Sequence, residues 1–340
     1  MNQLPMQNDK HKPSEATLTH KTNTFSAEAQ VQPNAAFRSG FVAILGKPNA
    51  GKSTLLNALV GERLAIVSDK PQTTRDRVAG VLTTDNYQVV FLDTPGIIVP
   101  RDRFNEALIE RVDEAVEDAD VLYHLVDATD AEPPNERLVQ ALARGQAVVR
   151  FLVINKIDKI TNEPKNALPP GIDPSQYSAV FRISALHKQG IESLLEATVA
   201  QLPEGPLYYD PEQITDREER FFAAEAVREK ILLYTDEEVP YSVFTKVEQF
   251  EERPDKDYIR VVIYVERESQ KPIIIGKGGK LIKRIGMEAR QDIEKLTGRP
   301  AYLELWVKVR KNWRKNDFDL RNFGFKPPPK KTSKETRRSC

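Results

Sequence analysis

An α/β doubly wound sheet followed by a smaller α+β domain is the fold class that three observations predict. First, "FVAIL" at 41–45 runs into "GKPNAGKS" at 46–53 and then "TLLNALV" at 54–60, so a glycine-rich loop joins a buried strand to a helix. Second, strand-like and helix-like stretches alternate from 41 to about 202, the pattern of a parallel sheet covered on both faces. Third, beyond 216 the pattern changes to two β-alternating runs framed by helical spacing. A chain of 340 residues is also too long for one ordinary core.

The first loop sets the chemistry. Its glycines let the backbone curl so that N–H groups converge on a phosphate. The helix that follows adds the positive end of its dipole. The pattern G-x-x-x-x-G-K-[ST] therefore makes Gly46, Lys47, Pro48, Asn49, Ala50, Gly51, Lys52 and Ser53 a candidate triphosphate cradle. Lys52 is placed for the β- and γ-phosphates, and the Ser53 hydroxyl for Mg²⁺. The polar stretch "SDKPQTTRDR" at 68–77 reads as a mobile loop that closes over the ion, with Thr74 the first candidate ligand and Thr73 the second.

A strand at 77–84 follows, and then "FLDTPG" at 91–96 ends an apolar run. Asp93 at its tip is placed to hold Mg²⁺ through water. Thr94 and Pro95 lead to Gly96, whose N–H can approach a γ-phosphate closely. A further strand is predicted over 120–127, with helices over 104–118, 134–144 and 190–202. "VINKID" at 153–158 ends another apolar run and selects the base. Guanine presents two adjacent donors, N1–H and the N2 amino group, and the Asp158 carboxylate accepts both at once. Adenine has an acceptor at N1 and would face Asp158 with a lone pair. Asn155 bonds the other edge or ties loops together. The stem of Lys156 can lie over the base plane, with Ile157 between the two polar contacts. In "ISAL" at 183–186, backbone N–H groups at Ser184 and Ala185 are placed to reach the guanine O6.

The second half reads in the same way. "LPEGPLYYDPEQITD" at 202–216 is punctuated by Pro and Gly, so the linker is placed at 204–215. Asp216 is a candidate cap for a helix running to about 234, with Phe221, Phe222, Ala226, Val227 and Ile231 as its apolar face. Two strands are expected in "YSVFTKVEQFE" and "DYIRVVIYVE". Ile273, Ile274 and Ile275 lead into Gly276-Lys277-Gly278-Gly279, and a helix starts with Leu281, Ile282 and Ile285. "AYLELWVKV" forms the last strand. Residues 271–340 carry 20 Lys+Arg and 7 Asp+Glu, a net of +13, while residues 1–270 carry −13. Such asymmetry is the footprint of a nucleic-acid or anionic-membrane contact. Glycines let a peptide approach phosphate, and Lys277, Lys280, Lys283 and Arg284 supply charge around them. In "RKNWRKN" at 310–316, Arg310 and Lys311 extend the basic surface. Trp313 either stacks on a base or anchors the C-terminal helix.

GKPNAGKS, PQTTR, DTPG, NKID and SAL, in this order, resemble a translation-factor-class P-loop GTPase. The Pro-Asn pair in the loop and the TTR sequence resemble the Era family. The order helix, strand, strand, helix, GxxG, helix, strand resembles a type II KH domain, in which the GxxG loop clamps single-stranded nucleic acid. A GTPase joined to a C-terminal KH domain is the Era layout, and the resemblance covers about 38 to 325. It implies GTP and GDP as ligands, Mg²⁺ held by Ser53 and Thr74, and guanine read by Asn155 and Asp158. It implies K⁺ at Asn49, standing in for an arginine finger. Ile97 occupies the position where Ras-like enzymes carry glutamine, so slow intrinsic turnover is implied, with Lys52, Thr74, Gly96 and Asn49 as the catalytic set. The implied partners are 16S ribosomal RNA near its 3′ end and the 30S subunit during its assembly. The implied form is a monomer, with peripheral contact at the inner face of the cell membrane.

These readings divide the chain into a disordered extension (1–38), a G domain (39–203), a linker (204–215), a KH domain (216–325) and a basic tail (326–340). "TNEPKNALPPGIDPSQ" at 161–176 is expected to be an enlarged loop. No apolar run reaches transmembrane length, no signal peptide is evident, and the one cysteine, Cys340, permits no internal disulfide, so a cytoplasmic protein is expected. Two rivals stand beside the switch reading: a constitutive KH-type RNA binder with a structural nucleotide domain, and a membrane-surface GTPase. A protein with two G domains is excluded by the single P-loop.

Overall fold

The computed structural model describes residues 37–68, 70, 72–144, 149–160 and 168–329. The expected N-terminal extension up to residue 36, residues 161–167 of the enlarged loop, and the tail from 330 with Cys340 lie outside the described residues.

The first half forms a six-stranded sheet from β1 (Arg38–Leu45), β2 (Val78–Thr83), β3 (Tyr87–Asp93), β4 (Val121–Asp127), β5 (Val149–Asn155) and β6 (Ala179–Arg182). Its order is β2-β3-β1-β4-β5-β6, with β2 antiparallel at the edge and every other pairing parallel. Both faces must then be covered, which is why β1, β3 and β4 are almost continuously apolar. On one face pack α1 (Lys52–Val60) and α4 (Ile191–Gln201), and on the other α2 (Arg103–Asp118) and α3 (Glu136–Arg144). Asp102 starts α2 by accepting the Asn105 N–H at 2.8 Å, a cap worth about 1 kcal/mol.

The second half comprises α5 (Glu219–Tyr234), α6 (Val239–Ser242), β7 (Phe244–Glu251), β8 (Asp257–Val265), α7 (Gln270–Ile275), α8 (Lys280–Thr297), β9 (Ala301–Val309) and α9 (Asp317–Asn322). The sheet order is β7-β8-β9, with β8 and β9 parallel. Its core joins Ala223, Val227 and Ile231 of α5 to Ile285, Ala289 and Ile293 of α8 over the strands. Among the described residues no helix is long and apolar enough to cross a membrane.

Three expectations change here. Asp216 does not cap α5, which begins at Glu219. Its carboxylate instead accepts the Ala79 N–H at 3.2 Å. Phe221 and Phe222 turn away from the second core and pack against the first. The strand expected from Tyr241 starts at Phe244, because Pro240 stands in the first turn of the short helix α6.

The segment expected as a linker is tied down along its length. The Ser39 hydroxyl donates to the Pro206 carbonyl at 2.7 Å. The Gln88 side chain accepts the N–H groups of Tyr208 and Tyr209 and donates to the Tyr209 carbonyl. The Val81 N–H donates to the Ile214 carbonyl at 2.9 Å, so the segment covers the open edge of β2.

A mixed cluster joins the halves. Phe104 and Leu108 of α2 pack with Trp313, Leu320 and Phe325. Arg103 pairs with Asp317 at 2.9 Å and Arg314 with Asp102 at 2.7 Å.

Candidate nucleotide site and nucleic-acid face

The site lies at the carboxyl ends of the parallel strands. Gly46 follows β1, Asp93 ends β3, Asp127 ends β4, Asn155 ends β5, and Ser184 follows β6 after Ile183. The parallel register sets Ile44 opposite Asp93 and Asp127 opposite Asn155, so one strip of loops collects the motifs. A cleft opens there, lined among others by Asn49, Lys52, Ser53, Thr74, Gly96 and Lys156.

Gly51 shows why the first loop needs its glycines. Its φ is +95°, and a Cβ would stand 2.3 Å from the Asn155 amide nitrogen. The Lys52 ammonium donates to the carbonyls of Lys47 (2.9 Å) and Gly46 (3.3 Å). Burial brings it down from 10.5 to about 8, against the opposing pull of Asp93. Lys47 reaches away to Asp130 at 2.8 Å.

Three oxygens meet beside Lys52. The hydroxyls of Ser53 and Thr74 lie 2.8 Å apart, and both donate to Asp93 Oδ2, at 2.8 and 2.9 Å. Asp93 is fully buried, and its Oδ1 has no hydrogen-bond partner. Burial pushes its carboxyl up, while Lys52 and the two hydroxyls pull it down. A buried, half-satisfied carboxylate beside two hydroxyls is a hard-oxygen set suited to Mg²⁺. Among the described residues no three His, Cys, Asp or Glu side chains converge as a metal site. The two threonines that the sequence left open have different partners. Thr74 meets Ser53 and Asp93, whereas the Thr73 carbonyl accepts from Arg228.

Asn155 ties loops together. Its amide donates to the Ala50 carbonyl and accepts the Ala185 N–H, each at 2.9 Å. Asp158 is exposed, and the Ser184 hydroxyl bonded to it at 2.5 Å holds its carboxyl below the usual range. Lys156 lies along the first loop, donating to the Asn49 carbonyl (2.6 Å) and pairing with Asp127 (2.7 Å). Asp127 had no place in the sequence reading. Its strand-end position matches that of Asp93 and was the available signal. Thr94 fixes its turn by donating to the Ile44 carbonyl at 2.7 Å. Ile97 is buried and its N–H donates to the Gly46 carbonyl, so this side chain offers nothing to a water.

On the second half, Gly276, Gly278 and Gly279 all take positive φ between α7 and α8. Lys277, Lys280, Lys283 and Arg284 are exposed around them. Arg284 also lies over the Tyr234 ring, 4.0 Å from its centroid, and pairs with Glu288. Arg310 is paired with Asp319 at 2.6 Å, and Lys311 is exposed. Trp313 departs from the base-stacking expectation. It is 0 % exposed, and its indole N–H donates to the Ser242 carbonyl at 2.9 Å. It is an anchor, because Phe104, Phe244 and Phe323 enclose the ring.

Comparison with known proteins agrees with this arrangement. Residues 41–156 match the family model of the 50S ribosome-binding GTPase, and residues 238–314 match the KH domain. GTPase Era of Carboxydothermus hydrogenoformans is 45% identical over 294 residues, which are 85% of this chain and 98% of that protein. GTPase Era of Alkaliphilus metalliredigens is 42% identical over 293 residues, covering 85% and 99%. The chain superposes with a TM-score of 0.80 on a crystal structure of Era in complex with MgGDPNP and nucleotides 1506–1542 of 16S ribosomal RNA, at 42% identity, covering 85% of this chain and 99% of that one. An Aquifex aeolicus Era variant bound to GDP·AlF4⁻ gives a TM-score of 0.80 at 41% identity, with the same coverage.

Proposed function

The chain belongs to the Era family of GTPases, and from that premise we propose a switch that hydrolyses GTP to GDP and phosphate and binds 16S ribosomal RNA during assembly of the 30S subunit. The observation that carries the enzymatic part is the triangle of Ser53, Thr74 and Asp93 beside buried Lys52.

In this reading the backbone of 46–53 cradles the phosphates, and Lys52 neutralises the β- and γ-oxygens. Ser53 and Thr74 would hold Mg²⁺ through their hydroxyls, with Asp93 beside them as the anionic partner. When bound, the ion offsets the charge that develops between the β- and γ-phosphates. Gly96 offers its N–H to the γ-phosphate. Asp158 accepts both guanine donors, held in its ionised form by Ser184. The Ser184 and Ala185 N–H groups expected at O6 instead donate to the Gln189 carbonyl and to Asn155. Asn155 acts by holding Ala50 and Ala185 in place. With Ile97 buried, no side chain at that position orients water, and Asn49 would hold a K⁺ that would supply the missing charge. Turnover of GTP should therefore fall severalfold when Na⁺ replaces K⁺. Equal rates in the two buffers remove this role from Asn49.

The RNA face consists of Gly276, Lys277, Gly278, Gly279, Lys280, Lys283 and Arg284, with Arg310 and Lys311 at its margin. Support comes from the exposed cations around glycines at positive φ. The domain boundaries are proposed at 39–203 and 216–325. The protein is placed in the cytoplasm as a monomer, with contact to anionic membrane through the same basic face.

The deciding experiment measures binding of an RNA matching the 3′ end of 16S ribosomal RNA with GDP, with GDPNP and with no nucleotide, at one salt concentration. Tighter binding with GDPNP is expected. Equal binding in all three states would favour a constitutive RNA binder.

A further inference from the structure

The loop at 68–77 has an outer side that the nucleotide site does not use. Thr74 faces Ser53 and Asp93, and the next side chain, Arg75, runs into the second domain. Its guanidinium donates to the carbonyls of Pro240 (2.9 Å) and Val243, at the end of α6. A third carbonyl of that turn, on Ser242, accepts the Trp313 indole N–H. Arg75 and Trp313 also share Phe104, the guanidinium 5.5 Å and the indole 5.1 Å from its ring centroid. Arg75 is only 4 % exposed.

This seat is specific in direction but weakly held. A guanidinium fixed by two backbone carbonyls cannot swing without breaking both bonds. Yet the charges of Arg228 and Arg314 press on it. Arg75 Nε and Arg228 Nη1 are buried without a hydrogen-bond partner. Flanking contacts follow the same division. Arg228 donates to the Thr73 carbonyl, and Lys70 donates to the Thr235 carbonyl and pairs with Asp236 at 2.9 Å.

We propose that Arg75 is a positioning residue that locks Thr74 to the second domain, so that the placing of Thr74 over the ion and the packing of the α6 turn against Trp313 change together. The inference rests on the reading above that nucleotide state governs RNA binding. It adds the route, from Thr74 through Arg75 and the carbonyls of α6 to Trp313, next to the segment bearing Arg310 and Lys311. A two-state element biased from both ends is what such coupling requires.

The chain has two tryptophans, so Trp306→Phe leaves Trp313 as the only one. In the full-length protein with this change, Trp313 emission is compared between GDP and GDPNP, alone and combined with Arg75→Gln or Arg75→Lys. The expected result is a nucleotide-dependent change in the Trp306→Phe protein that both Arg75 variants lose. GDP affinity should stay within about twofold, while the Mg²⁺ concentration needed for half-maximal hydrolysis rises. Arg75→Lys keeps the charge but cannot span both carbonyls, and it carries the test if Arg75→Gln fails to fold. A change that persists in the folded Arg75 variants overturns the lock. No change even with Arg75 intact overturns the nucleotide-driven rearrangement itself, and the lock falls with it.

Discussion

Lys52 shows how a single buried group sets a pH window. Burial brings its ammonium down to about 8, against 10.5 ordinarily. Below pH 8 it is charged and ready for a phosphate. Between 8 and 10.5 the empty site loses a proton that the bound polyphosphate would restore. Nucleotide affinity should therefore fall as pH rises through about 8, with proton uptake on binding; calorimetry at pH 9 in buffers of different ionisation enthalpy reads it directly. The effect on stability has the opposite sign. The penalty on the buried cation is present in full below about 8 and is relieved between there and 10.5, where the unfolded chain binds more protons. Asp158 makes a second prediction. Asp158→Asn removes the double acceptor and should weaken GTP binding by roughly 10- to 100-fold while improving xanthosine triphosphate. Equilibrium titration with both nucleotides checks it, and unchanged GTP affinity removes the guanine assignment.

At the scale of elements, the glycine loop between α7 and α8 separates backbone demand from surface chemistry. A Cβ on Gly276 would stand 2.6 Å from Leu281 Cβ, so substitution there disturbs packing. A Cβ on Gly278 meets open space, although φ is +60°. Gly278→Asp should therefore cost only about 1–2 kcal/mol of local strain while setting a carboxylate against the phosphates. RNA binding should be lost and GDP binding kept, as gel-shift and nucleotide titration would show; RNA binding that survives would remove the loop from the RNA face. The same elements explain what the sequence made legible. Strand-end motifs identified the loops of β1, β3, β5 and β6, because a tight turn after an apolar run leaves few ways to place Lys52, Ser53, Asp93 and Asn155. The helix α6 was not legible. Val239-Pro240-Tyr241-Ser242 has no helical period, and Tyr241 reads as the start of the next strand.

For the whole molecule, the interface between the halves carries what sequence reasoning missed. "RKNWRKN" reads as a basic surface because nothing nearby in the chain announces Phe104, more than 200 residues earlier, which closes over Trp313. A separation of 165 to 168 residues likewise hides the seat of Arg75, whose partners are backbone carbonyls that have no side-chain signature. Trp313→Ala should cost about 3–5 kcal/mol and loosen the docking of the halves. Thermal unfolding and limited proteolysis would report it. Unchanged stability together with weakened RNA binding would instead return Trp313 to a stacking role. One further consequence comes from the segment at 204–215, which is bonded to Ser39, Gln88 and Val81 rather than free in solvent. A tether pinned at intervals does little to hold two bodies together by its covalent continuity, since the pins and the interface already keep them at high effective concentration. A nick in this strap should leave a two-chain particle that still migrates as one. The edge of β2 would also stay closed to strand exchange with a neighbouring molecule.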